Sequence, residues 1–369
     1  MNIKFKSNWV ETQERFSAWW DRKNTGRPLL SIWTDREDPL INPYKIEPYS
    51  ILSERYLDTE KILAHEFDRL CKAKPVAEAY PAISFNLGAG SLALYLGCEP
   101  SFQADTLWFL PFMNELPNDG KIIFDENNEW YVRHLEMYKR GKEAVMNTDA
   151  LLEIPDLVEH MDILAAMRGP TELFEDFFEC PDLVKTAHES LNDHYKTVFD
   201  KFNDLCKEDE TGFNAFTAFA ICGKGRTSKI QCDTAAMISP GQFRDFALEP
   251  LREQCRWLDN SMFHLDGPEC ICHIPALMEI NELNAIQWTP GHGNPESGEE
   301  CWDELFGAVK EAGKGLWIGL GGYSSDVAVQ KADRLVRKFG ANHFYFLMPY
   351  MTQKDADALL SKADREWKC

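Results

Sequence analysis

From residue 150 onward the sequence repeats one pattern: a short apolar run, a polar residue or two at its end, then a stretch with helical spacing. The runs are Ala150–Ile154, Asn214–Phe219, Ile230–Asp233, Ser261–His264, Ala285–Trp288, Gly315–Ile318 and His343–Phe346, and Ala82–Leu87 supplies an eighth upstream. Between most of them lie the helical patterns Asp182–Cys206, Pro240–Leu258, Ala276–Glu282, Glu299–Ala312 and Ser325–Lys338. Ser239 before Pro240 reads as a helix start, and Gly340 after Phe339 as a stop. Eight strands alternating with helices predict an α/β fold, a (β/α)8 TIM barrel with parallel strands inside and helices outside.

Residues 1–80 read as an aromatic, helical extension that caps the barrel without being a separate domain. Trp9 to Trp20 has helical spacing, Thr25-Gly26-Arg27-Pro28 breaks it, Leu29 to Trp33 reads as a strand, and Ser53 to Cys71 is amphipathic. No long polar linker precedes residues 81–369, the barrel proper. Residues 98–149 read as an irregular insertion, with Lys121 to Phe124 as a hairpin strand. Such an insertion either covers an active site or decorates the scaffold, and both readings stay open.

A formal charge of -21 argues against nucleic acid or an anionic membrane as partner. No apolar run approaches the ~20 residues of a membrane span, and the first residues lack the apolar core of a signal peptide. Eleven cysteines without paired spacing fit reduced thiols, so a cytoplasmic enzyme with a small-molecule substrate is expected.

In a barrel, the active face is built from residues at the C-terminal strand ends. That rule selects Asn86, Asp156, Gln231, Asp233, His264, Asp266, His292, Tyr323 and Tyr350, with Trp288 closing its own run. His264-x-Asp266 is the sharpest feature. Residues two apart on a strand share a side, so imidazole and carboxylate converge on one metal or one proton. The competing reading makes Asp266 a cap for the helix opened by Gly267-Pro268. Gln231-x-Asp233 repeats the geometry, and Asp233 either orients His264, holds an ammonium group, ligates a metal or caps its own turn. Cys270-x-Cys272 would diverge by about 200° on a helix, so core packing is expected there. Gly319-Leu-Gly-Gly322 and Gly223-Lys-Gly-Arg226 lack dinucleotide and P-loop spacing, and serine-hydrolase, zincin and thioredoxin motifs are missing from the sequence.

Three segments resemble the uroporphyrinogen decarboxylase superfamily, which also holds corrinoid-dependent methyltransferases. They are Asp233-Thr-Ala-Ala-Met-Ile-Ser-Pro-Gly-Gln-Phe-Arg-Asp-Phe246, Met262-Phe-His-Leu-Asp-Gly267 and Glu279 to Trp288, with Arg27-Pro28 and Leu96-Gly97 as looser landmarks upstream. The resemblance implies a (β/α)8 barrel with an N-terminal helical lead-in. Decarboxylases of that family hold their polycarboxylate substrate with an arginine-rich loop, whereas Trp33-Thr-Asp-Arg36-Glu-Asp38 offers one Arg among acids. Its methyltransferases bind zinc through His-x-Cys and a later Cys. His264 matches the first ligand, Asp266 stands where the first Cys would be, and Leu347-Met-Pro349 has no Cys. A His/Asp set still suits zinc and makes it more Lewis-acidic. The leading expectation is therefore metal-assisted methyl transfer, with a methylated corrinoid or small methylated compound as donor, a thiol-type acceptor and a corrinoid protein as a conceivable partner. His264, Asp266 and Asp233 would be catalytic, His264 and Asp266 the metal ligands. Asn86, Gln231, Trp288, His292, Tyr323 and Tyr350 would contact substrate. Decarboxylation of a porphyrinogen or smaller acid, and a non-catalytic binding barrel, are the alternatives.

Overall fold

Parallel pairing dominates the chain, but it falls into two arcs. The computed structural model describes residues 3–367. Its strands are β1 Leu29–Asp35, β2 Ala73–Ala77, β3 Ala82–Ile83, β4 Glu99–Phe102, β5 Leu107–Leu110, β6 Leu151–Ile154, β7 Phe213–Phe216, β8 Ile221–Lys224, β9 Thr227–Gln231, β10 Asn260–Asp266, β11 Ala285–Thr289, β12 Gly315–Gly319 and β13 Phe344–Leu347. One sheet runs β2-β1-β13-β12-β11-β10-β9, a second β3-β6-β7-β8, and β4-β5 is a separate hairpin. All pairings are parallel except β1–β2, β7–β8 and β4–β5.

The expected closed eightfold ring is therefore only partly realised: the fold is α/β with parallel sheets, and no closed sheet is formed among the described residues. The cause is local. Antiparallel β2 takes the edge of β1 that a closed barrel would offer to β3, and antiparallel β8 takes the free edge of β7. β1, read from sequence as part of the lead-in, joins the major sheet by parallel pairing with β13, Leu29 opposite Tyr345.

The run Asn214–Phe219 ends as a strand at Phe216, because Phe219 and Ala220 both adopt left-handed backbone angles, φ 63° and 49°. For residues with a Cβ this costs roughly 1–2 kcal/mol each. Four buried donors compensate by gripping successive carbonyls. Trp317 Nε1 donates to Phe219 (2.8 Å), Tyr345 Oη to Ala220 (2.6 Å), Tyr80 Oη to Ile221 (2.8 Å) and Trp20 Nε1 to Cys222 (2.8 Å).

The helix expected over Pro240–Leu258 is interrupted by physics legible in one residue. It starts with the Ser239–Gln242 capping box, widens to a π-turn over Phe243–Ala247 and resumes as Leu248–Trp257. Pro250 has no N–H for the carbonyl of Phe246 and crowds it. His188 Nδ1 donates to that carbonyl instead, at 3.0 Å.

Within 98–149 the structure departs from the irregular reading. It forms the β4–β5 hairpin and the helix Glu129–Val145, while Lys121–Phe124 is not a strand. Asn128 starts this helix by accepting from the backbone N–H groups of Trp130 and Tyr131. Gly141 lets it lie against the sheet, since a Cβ there would sit 2.4 Å from the Phe85 ring. No helix among the described residues is long and apolar enough to cross a membrane.

Candidate functional site

Three adjacent strands align their polar residues at one level. Gln231 of β9 is in register with His264 of β10, and His264 with Gln287 of β11. Register partners in a sheet share a face, so these side chains meet. His264 Nδ1 and Gln287 Oε1 form a short hydrogen bond, and Gln287 Nε2 donates to Thr289 Oγ1 at 2.8 Å. Because the amide oxygen only accepts, Nδ1 carries the proton and Nε2 presents a lone pair. The His264 side chain is 12% exposed, and burial, then the Lys229 ammonium, hold its pKa below the ordinary value. It is a neutral imidazole aimed as a ligand or base.

Asp233, His264 and Asp266 each offer a ligand atom, and the three atoms lie within 4.8 Å of one another. His264 Nε2 is 4.0 Å from Asp233 Oδ1. Ligands about 2.1 Å from a tetrahedral zinc would be about 3.4 Å apart, so a modest inward movement suffices. Asp266 makes no hydrogen bond within the helical turn that follows; that turn is entered through Gly267 with no side-chain cap. Among the described residues its carboxylate has no hydrogen-bond or ion-pair partner.

Behind this trio lies a buried ion network. Lys229, 1% exposed, pairs with Asp156 Oδ1 at 2.9 Å and donates a short hydrogen bond to Gln231 Oε1. Gln231 Nε2 donates to Asp233 Oδ2 (2.9 Å) and Asp162 Oδ2 (3.1 Å), and Gln231 N to Glu159 Oε2 (2.9 Å). Asp162 also receives Asp233 N (2.8 Å), Thr234 N (2.9 Å) and Thr234 Oγ1 (2.8 Å), which fixes the short 3-10 turn carrying Asp233. Four carboxyl groups, of Asp156, Glu159, Asp162 and Asp233, thus share one network with a single ammonium. Burial, above all, pushes Glu159 well above its ordinary value despite Lys229. Asp233 keeps 48% of its side chain exposed, yet enclosure by the surrounding protein, followed by repulsion from Asp162, pushes it up to about 7. Replacing Asp162 by Asn removes a like charge and should bring the Asp233 pKa down toward the ordinary carboxylate range, read by carboxyl-carbon NMR titration. An unmoved midpoint would show that enclosure alone sets it.

The other residues selected from sequence scatter. Trp288 is buried at 1% and packs on Trp302 with ring centroids 4.9 Å apart, on the face of β11 opposite to Gln287 and Thr289. As a substrate contact it is corrected: it belongs to the core. Tyr323 donates to Glu299 at 2.9 Å. Tyr350 donates to Asp35 at the end of β1, also at 2.9 Å. His292 is exposed in its glycine loop, whose Gly291 approaches Gly267 beside Asp266. Cys270 is buried and Cys272 exposed, while His273 Nε2 donates to the Ala235 carbonyl at 2.9 Å. Gln287, Lys229, Glu159 and Asp162 were not selected. Strand alternation would have found Gln287, two residues before Thr289. Asp162 sits on the helix His160–Arg168, and nothing local marks it.

Asn86 opens onto a separate cleft of about 570 Å³, between residues 49–66 of the N-terminal region and the strand ends, lined by Tyr49, Arg55, His65, Ser84, Asn86 and Thr217 among others. Residues 217–219 connect cleft and trio: Thr217 lines the former, and the Phe219 ring lies 5.0 Å from His264 at 33°.

No family model matches the chain, and no curated protein matches it in sequence. Among solved structures it is similar to a methyltransferase from Methanosarcina mazei, with a TM-score of 0.58, 12% identity, and coverage of 96% of this chain and 98% of that one. At that identity the likeness establishes a shared fold along nearly the whole chain.

Proposed function

We propose that the protein is a metal-assisted methyltransferase of the uroporphyrinogen decarboxylase-like kind, moving a methyl group from a corrinoid or small methylated donor to a thiol-type acceptor. The observation that carries this reading is the convergence of His264 Nε2, Asp266 and Asp233 within 4.8 Å at the strand ends of a methyltransferase-like fold. His264 and Asp266 would hold zinc or a similar divalent ion, with Asp233 beside them. The donor set is one nitrogen and carboxylate oxygens, suited to zinc and harder than a thiolate set. The ion would supply Lewis acidity that favours an ionised acceptor.

The chain's own groups do the rest. Gln287 and Thr289 fix the imidazole tautomer. Gln231 and Asp162 hold Asp233 in place, and its carboxylate would take the acceptor's proton. The carboxylates of Asp156, Asp162 and Asp266 favour a cation over a free anion.

Decarboxylation of a polycarboxylate has less support. Arg36, alone in its loop, donates to the carbonyls of Ala73 (2.9 Å) and Phe5 (2.7 Å), which turns its fork to the backbone and away from carboxylates.

Anaerobic mixing with methylcobalamin and a panel of thiols tests the reading. Transfer breaks the cobalt–carbon bond, forms a sulfur–carbon bond and releases the thiol proton, leaving cob(I)alamin with its distinct absorption. An unchanged corrinoid spectrum with every thiol, at one metal per chain, would count against it.

A further inference from the structure

We infer that Phe219 is a positioning residue for His264: its ring backs the imidazole and keeps Nε2 aimed at Asp233 and Asp266. The hydrogen bond to Gln287 ties the imidazole at Nδ1, while Nε2 makes no hydrogen bond among the described residues. A ring tied at one nitrogen can still rock about its Cβ–Cγ bond. The Phe219 ring, with its centroid 5.0 Å from that of His264 and an interplanar angle of 33°, supplies the missing restraint.

Core filling does not account for this residue. Phe219 is half-buried, so it gains less from burial than a core phenylalanine, and its φ of 63° strains any residue with a Cβ. A glycine would make the same turn without strain. Strained backbone persists where the surrounding structure over-determines it, and such places cluster at functional sites. Here the surroundings include the row that carries His264. Gln231, His264, Gln287, Trp317 and Tyr345 are register partners on five successive strands, β9 to β13, and so share one face. Two members of that row hold the strained segment: Trp317 Nε1 donates to the Phe219 carbonyl at 2.8 Å and Tyr345 Oη to that of Ala220 at 2.6 Å. Trp317 also sets its ring edge-on against Phe219, centroids 5.3 Å apart at 73°. On the other side of Phe219, Thr217 N donates to the Ile154 carbonyl at 3.1 Å, and Thr217 Oγ1 shares a short hydrogen bond with Ser84 Oγ. The segment is pinned at both ends, and the one aromatic ring it carries lies against the imidazole.

The test has two arms on the full chain, and only the second rests on the reading of His264 as a metal ligand. The first is nitrogen NMR of the histidine rings in metal-free protein, with His264 assigned through His264→Ala. The wild type should show one His264 tautomer, with the proton on Nδ1. Phe219→Leu keeps apolar bulk without a flat ring. Its freed imidazole should leave Gln287 part of the time and average the two nitrogens, which a lost ring current alone does not do. The second arm is zinc titration against a chromophoric chelator, in which Phe219→Leu should bind about tenfold more weakly. Phe219→Tyr keeps the ring and should match the wild type in both arms. Trp317→Phe loses the N–H that holds the Phe219 carbonyl and should reproduce part of the loss. Adding Phe219→Leu to it should cost less than the two losses multiplied, because both act through one ring. An unchanged tautomer and zinc affinity in Phe219→Leu, or equal losses in Phe219→Leu and Phe219→Tyr, would overturn the inference. A wild-type chain that binds no zinc would instead defeat the metal-assisted reading, and the tautomer measurement would then decide this one alone.

Discussion

His264→Ala should weaken binding of a divalent ion by more than about 100-fold, beyond the ~10–100-fold that loss of an outer partner costs. Gln287→Leu should fall within that outer range: it leaves every ligand atom in place but frees the imidazole to turn and to put its proton on Nε2. Asp266→Asn removes a carboxylate that has no hydrogen-bond or ion-pair partner among the described residues, and it should resemble His264→Ala. The affinity should also depend on pH in a set direction. A metal-free Asp233 keeps its proton below about 7, so an incoming ion must expel it. The dissociation constant should therefore rise by up to about tenfold per unit as pH falls below 7, and flatten above it. Elemental analysis of protein purified without chelator, with competition titration against a chromophoric chelator, reads all three. Stoichiometric metal surviving in His264→Ala would end the ligand assignment.

What could be read from the chain follows how far each residue's partners lie. The apolar runs at β6 and β9 to β13 were legible because a buried strand is a local fact: its neighbours in sequence carry the pattern. His264 and Asp266 were legible for the same reason, since two residues on one strand share a face without help from elsewhere. Gln287 was within reach, because alternation on β11 puts Gln287 and Thr289 opposite to Trp288. Closure of the sheet was not legible. It turns on whether β2 and β8 fold back antiparallel, and β8 does so through Phe219 and Ala220, two residues with no turn propensity, held left-handed by donors up to 125 residues away in sequence. Asp162 and Lys229 matter through partners on other elements, which a single sequence does not pair.

Glu78→Ala should cost about 3–5 kcal/mol of folding stability, the range for breaking a buried ion pair by removing one partner. Glu78 is 1% exposed, directly after β2. Its carboxylate receives Arg27 through both Nη1 (2.8 Å) and Nη2 (3.0 Å), Arg15 Nε at 2.6 Å and the backbone N–H of Leu30 at 2.7 Å. One carboxylate thus joins the helix Trp9–Trp20, the start of β1 and the end of β2, while Arg27 Nε reaches Asp364 on the C-terminal helix Gln353–Glu366 at 3.2 Å. This is where β1 is held against β13, so the carboxylate secures the edge of the major sheet. Alanine leaves Arg15 without a counter-charge, Arg27 with only the exposed Asp364, and an N–H without an acceptor. Glutamine, which keeps one acceptor oxygen, should fall between. Arg27→Met added to Glu78→Ala should recover part of the loss, because one stranded charge goes with it. Burial alone would raise the Glu78 pKa, but Arg27 and Arg15 outweigh it and hold the carboxyl below its ordinary value. A depressed carboxyl stabilises above its unfolded pKa and loses that contribution as pH falls through the folded one. The difference between wild type and Glu78→Ala should therefore be full at neutral pH and shrink below about 4, where the unfolded chain takes up the proton first. Urea midpoints at constant m-value, at pH 7 and at pH 3.5, measure both. A shift under about 1 kcal/mol at pH 7 would mean that the two arginines find other partners and that β1 is held by its backbone ladder alone.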